Sequence, residues 1–152
     1  MTKYLLIALI AAAALAGCVQ PYQTELIPDL GLETLEDVLT YVAKHVYYVP
    51  DDYVHEYLDE WQEPHQTYIW GTGDCEDHAI LVVYLADRIG IDIKAESGRR
   101  SGEGHVWVSV DGEHYETVSG RYAPYLPDDF HIYRLTYTAE EVLSLSMQRA
   151  VQ

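Results

Sequence analysis

The chain has 152 residues, with 9 lysines and arginines against 25 aspartates and glutamates, a formal charge of −16. That excess argues against nucleic acid and bare anionic lipid as partners, because the field repels both at long range. The length is that of one domain, enough to bury a core without disulfide help.

In chain order, "MTKYLLIALIAAAALAGC" has a lysine near its start, an apolar run from Tyr4 to Ala16, and small residues ending in cysteine. This is the pattern of an export signal, and the run is shorter than the ~20 apolar residues that span a bilayer. "LAGC" resembles the lipobox of bacterial lipoproteins, so cleavage is expected after residue 17, with lipid on Cys18. The expected address is the cell envelope, facing the periplasm or the exterior and anchored to the membrane through that lipid. Val19 is not an aspartate retention signal, which permits outer-membrane delivery. "VQPYQTELIPD" follows with two prolines and little periodicity, and residues 18–30 read as the lipidated N-terminus and a tether. With Cys18 lipidated, Cys75 has no partner for a disulfide.

Leu35, Val38, Leu39, Val42 and Val46 recur at helical spacing, with Thr34 as N-cap and Asp37 three residues on. A helix is predicted over 35–46, stopped by Pro50-Asp51-Asp52. A second short helix is expected around 53–61. "GTGDCEDHAILVVYLADRIG" opens with glycines and places Cys75, Ala79, Val82, Ala86 and Ile89 on one stripe, which predicts a mostly buried helix closed by Gly90. From Ile91 the period changes to two. "SGRRSGEG" is expected as a mobile loop carrying Arg99 and Arg100, and "HVWVSV", "HYETV" and "HIYRLTY" as strands. A last helix is predicted from a capping box of Thr138 and Glu141. Helices followed by an antiparallel sheet make an α+β fold.

Asp74 as N-cap puts Cys75 in the first turn of its helix, where backbone N–H groups favour a thiolate. Asp74, Glu76 and Asp77 oppose this, so a cationic partner is required, and imidazolium is the usual one. His105 is the candidate, at the start of an apolar strand after a glycine-rich loop. If Asp111-Gly112 makes a two-residue hairpin turn, Val110 pairs with Glu113, Trp107 with Glu116 and His105 with Val118. His105 and Glu116 then share a face as diagonal neighbours. Cysteine, histidine and carboxylate supply a nucleophile, its acid/base and the group that fixes the base's tautomer, and imply acyl transfer through a thioester. His114 shares the face of Glu116 and is the reserve candidate for the base. His45, His55, His65 and His131 read as partly exposed polar groups.

"WQEPHQTYIWGTGDCEDHAILVVYLADRIGI" with "GHVWVSV" and "HYETV" resembles the transglutaminase-like superfamily of cysteine enzymes over residues 61–118. The resemblance implies a papain-like α+β fold over residues 31–152 and a triad that falls on Cys75, His105 and Glu116. Glutamate stands where the family has aspartate, and "ETV" where "DPT" is common. The resemblance also implies amide-bond chemistry on a protein or peptide of the envelope. Hydrolysis is expected, since water is the abundant acceptor; the alternatives are transamidation and a non-catalytic lipoprotein that binds a peptide or envelope component in the same cleft. The backbone N–H of Cys75 is the first oxyanion donor, with Gln66, Gln62 and Trp70 as candidates for the second. His78 with Cys75 and His105 lacks the matched ligand pairs of a zinc site, so neither metal nor cofactor is expected.

Overall fold

The computed structural model describes residues 27–51, 61–100, 103–122, 131–142 and 144. The export signal, Cys18, most of the tether and the short helix expected around 53–61 lie outside these. No described helix is long and apolar enough to cross a membrane.

Helix α1 (Leu35–His45) starts as its capping pattern requires: Thr34 Oγ1 accepts from the Asp37 N–H at 3.1 Å, and Asp37 Oδ2 accepts from the Thr34 N–H at 3.0 Å. Val38, Leu39 and Val42, three or four residues apart, form its buried stripe. Strand β1 (Tyr47–Tyr48) follows. Helix α2 (Pro64–Trp70) was not expected from the sequence, although Pro64 at its first position and the reciprocal Glu63/Gln66 cap are start signals. Strand β2 (Thr72–Gly73) pairs in parallel with β1, Tyr47 opposite Thr72 and Tyr48 opposite Gly73.

Helix α3 (Cys75–Arg88) is the central element. Ala79, Ile80, Leu81, Val82, Val83, Leu85 and Ala86 are all buried, and their side chains meet α1, α2 and the sheet. Each such residue stabilises the fold by about 1.5–3 kcal/mol relative to exposure, less for alanine. Ile27, within the stretch read as tether, is buried in the same core, and its carbonyl accepts from Arg88 Nη1 at 2.6 Å.

The main sheet contains β3 (Lys94–Arg100), β4 (Glu103–Val110), β5 (Glu113–Glu116), β6 (Arg121–Tyr122) and β7 (His131–Thr138), in the spatial order β6-β5-β4-β3-β7. Ala95, Val106 and Val108 point from it into the α3 core, while His105, Trp107 and Ser109 alternate onto the other face. The Asp111-Gly112 turn has φ of 51° and 83°, the left-handed pair of a two-residue hairpin, and it sets Val110 opposite Glu113 as predicted. Thr138 and Glu141 form the predicted cap of the last helical turn.

Two expectations are corrected. The stretch read as a mobile loop, 97–104, is strand on both sides of its tip: Arg99 pairs with Gly104 and Arg100 with Glu103. β3 pairs with β4 along its whole length and with β7 across a register shift between Ser97 and Arg99, and this tertiary context overrides the poor strand preference of the glycine-containing stretch. Val118 does not face His105, because β5 ends at Glu116 and residues 117–120 form a turn.

Candidate active site

Cys75 opens α3 and is 8% exposed. Gly73 and Asp77 explain how the helix start is held. Asp77 is fully buried; its Oδ1 accepts from the Gln62 N–H at 2.7 Å and its Oδ2 from the Asp74 N–H at 3.2 Å. A Cβ on Gly73 would stand 2.5 Å from the Asp77 Cβ, so glycine is required for the strand to pass. Burial, opposed by those two N–H groups, raises the Asp77 carboxyl to about 7. In the sequence Asp77 stands as an unfavourable charge beside the thiol; its other role, tying the segment before α2 to the start of α3, has no sequence signal beyond the D-x-x-D cap.

The Cys75 thiol donates to Glu76 Oε2 at 3.1 Å and accepts from the backbone N–H of Val106. Burial pushes this thiol well above the ordinary cysteine value, and the charge of Glu76, the hydrogen bond to it and the charge of Asp74 push the same way; only the Val106 N–H opposes. The sulfur therefore rests as a neutral thiol. Its place on β4 follows from the strand lengths: the β4–β5 ladder runs from Val110 to Val108, and the Val106 N–H lies beyond it.

His105 precedes Val106. Its Nε2 lies 2.8 Å from Glu116 Oε2, the pairing expected from strand parity. Arg100 Nη1, placed by the extension of β3, donates to the same oxygen at 3.1 Å, and the Val118 N–H approaches Glu116 Oε1 at 3.4 Å. Burial alone would raise the Glu116 carboxyl, but His105, Val118 and Arg100 together hold it below the usual carboxylate value. Arg100, expected only to solvate a loop, is thus part of the site.

The three oxyanion candidates separate. Gln66 Oε1 accepts from the Glu63 N–H at 2.8 Å and serves as the cap of α2. Trp70 ends α2 and is 56% exposed. Gln62 is the one joined to the start of α3, through Asp77, and its Oε1 accepts from Thr67 Oγ1 at 3.3 Å. His114 does not meet Glu116; its Nδ1 accepts from Trp107 Nε1 at 3.2 Å. His78 is buried between two carbonyls, with Nδ1 2.6 Å from Asp74 O and Nε2 3.2 Å from Val46 O; a neutral ring donates to one of them, so packing and that bond account for it.

Tyr48, opposite Gly73 and half-exposed, carries a phenol pushed up to about 12 by burial and by Cys75, Asp74, Glu76 and Glu103. It stands beside the thiol, and nothing local in "YY" marks it in the sequence. Among the described residues, one group of donors could hold a cation: Asp74, Cys75 and Glu76 bring ligand atoms within 4.8 Å of one another.

Comparison with known proteins bears on the family and the fold. The family model of the transglutaminase-like superfamily matches residues 18–119. Among solved structures, calcium-bound LapG of Legionella pneumophila superposes with a TM-score of 0.60 at 16% identity, covering 76% of this chain and 78% of that one. EGTA-treated LapG gives 0.58 at 17% identity, covering 76% of each chain. No curated protein matches. The matched stretch takes in the buried helix headed by Cys75 and the β4–β5 hairpin with His105 and Glu116, and the chain belongs to the transglutaminase-like superfamily.

Proposed function

We propose that this protein is a cysteine peptidase or amidase of the cell envelope, with Cys75 as nucleophile, His105 as acid and base, and Glu116 as the group that orients the imidazole. The observation that carries the reading is the joint placement of the two halves of the site: His105 Nε2 on Glu116, and the Cys75 sulfur on the N–H of the next residue.

The chemistry follows from that placement. An ionised carboxylate only accepts, so the proton of His105 sits on Nε2 and Nδ1 is the basic nitrogen. The thiol proton passes to Nδ1 as sulfur attacks the amide carbonyl; the same proton then goes to the leaving amine, giving a thioester that water hydrolyses. The Cys75 N–H and the Gln62 side chain are the proposed oxyanion donors. An amine in place of water would make the enzyme a transamidase. The substrate is a protein or peptide of the envelope, reached from an anchor on Cys18.

The neutral thiol needs a source of positive charge before attack. LapG occurs in a calcium-bound form. The carboxylates of Asp74 and Glu76 are hard oxygen donors of the type calcium prefers, whereas the thiol is not, and we infer that these two carboxylates hold calcium here. A bound cation would offset the negative potential that holds the proton on sulfur.

Peptide mixtures treated with the protein and with Cys75→Ala in the presence of hydroxylamine test the reading. Cysteine-dependent hydroxamates and new peptide termini are expected; full cleavage by the alanine variant would rule out Cys75 as the nucleophile, and neither product from the wild type would leave a binding lipoprotein.

A further inference from the structure

The face of the sheet that carries His105 and Glu116 holds a second set of side chains. Trp107, two residues from His105 on the same face, is 1% exposed, and its ring lies 6.2 Å from the His105 ring at an interplanar angle of 26°, an offset stack. On the other side of the indole, Nε1–H donates to His114 Nδ1 at 3.2 Å, with the two rings 6.5 Å apart and tilted by 64°. His114 sits on β5 opposite Ser109. Glu96 on β3, opposite Trp107, closes the group: Oε2 stands 3.5 Å from His114 Nδ1, and Oε1 accepts from Ser109 Oγ at 2.6 Å. Three strands thus converge on one indole, which has the catalytic imidazole against its other side.

Resting on the role given to His105 above, we propose that Trp107 and His114 are positioning residues: His114 fixes the indole through its N–H, and the indole fixes the plane of His105 so that Nε2 faces Glu116 and Nδ1 faces the thiol. A hydrogen bond at Nε2 fixes one edge of the imidazole and leaves the plane of the ring to its stacking neighbours. A rigid ring stacked alongside removes that freedom, provided the ring itself cannot turn, and an indole is locked when its single polar hydrogen has a fixed acceptor. His114 meets this need as a neutral ring with Nδ1 unprotonated; Glu96 competes for that nitrogen only when it carries a proton.

The test uses the full-length protein and two readouts: the long-range 1H–15N spectrum of the imidazoles, assigned with His105→Ala, and the rate at which iodoacetamide labels Cys75. Wild-type His105 is expected as one tautomer, protonated on Nε2. His114→Leu is expected to give a mixture of His105 tautomers. The same variant should slow labelling about tenfold, a part of the factor of 10²–10⁴ typical of general-base catalysis, and His114→Asn, which returns an acceptor oxygen near the Nδ1 position, should restore the rate to within about twofold. Should His114→Leu fail to fold, Trp107→Phe keeps a ring and removes the N–H, and the same mixture of tautomers is expected. A wild-type His105 spectrum in the variants, whatever their melting temperature, overturns the positioning role. If His105→Ala labels as fast as wild type, the acid/base role of His105 fails instead, a separate outcome.

Discussion

His105 Nε2 and Glu116 Oε2 lie 2.8 Å apart although eleven residues and a hairpin turn separate them. The contact rests on the Asp111-Gly112 turn, whose two positive φ values fix the register that puts both side chains on one face. Changing that carboxylate should therefore alter the imidazole and leave the fold in place. Glu116→Gln keeps an acceptor and loses the charge, and about a tenfold loss of kcat is expected. Glu116→Ala also releases the ring, with a loss of about 10² or more within the range for general acid–base catalysis. Rates of amide hydrolysis by the two variants, with circular dichroism as a control for folding, check the order.

The thiol gives a prediction of opposite sign to that for an activated cysteine. Burial and the neighbouring acids raise its pKa, so its rate of reaction with iodoacetamide should inflect above the ~8.5 of a free thiol. Glu76→Gln removes the adjacent charge and should move the inflection down; an unchanged inflection would contradict the contact between Cys75 and Glu76.

Calcium at Asp74 and Glu76 should act on the same inflection. Added calcium is expected to lower it and EGTA to restore it, while Asp74→Asn with Glu76→Gln should abolish the effect. Binding also stabilises the fold, by about 2.7 kcal/mol at a hundredfold excess over Kd, so thermal unfolding with and without EGTA reports the site independently of activity.

Asp77 links stability to pH. Its folded value is raised to about 7 from 3.8, so the folded chain binds the proton more tightly. Its stabilising contribution is fully present below pH 4 and falls as pH rises toward 7, by up to about 1.4 kcal/mol per pH unit for one proton. The difference in unfolding free energy between wild type and Asp77→Asn, followed from pH 4 to 8 by urea denaturation, should show this slope.

Much of this site could be read from residue patterns, because it hangs on local rules: the cap at Asp74, the stripe from Cys75 to Ala86, the turn at Asp111-Gly112. What escaped depends on contacts between distant segments. Arg100 reaches Glu116 only because β7 and β4 pair along both edges of β3 and draw a serine- and glycine-rich stretch into the sheet. Tyr48 reaches the thiol through the parallel pairing of two-residue strands, too short to leave a periodic signal. The short helix α2 was hidden for the same reason of length, though Pro64 marked its start.

The bond from the thiol to Glu76 also bears on how this protein ages. Oxidants attack thiolates, and attack them faster when they are exposed; Cys75, free of any disulfide, is 8% exposed and keeps its proton. Peroxide meets a sulfur in its least reactive form, which slows conversion to sulfenic acid. The two acidic neighbours that hold the proton on this sulfur thereby protect it from oxidation.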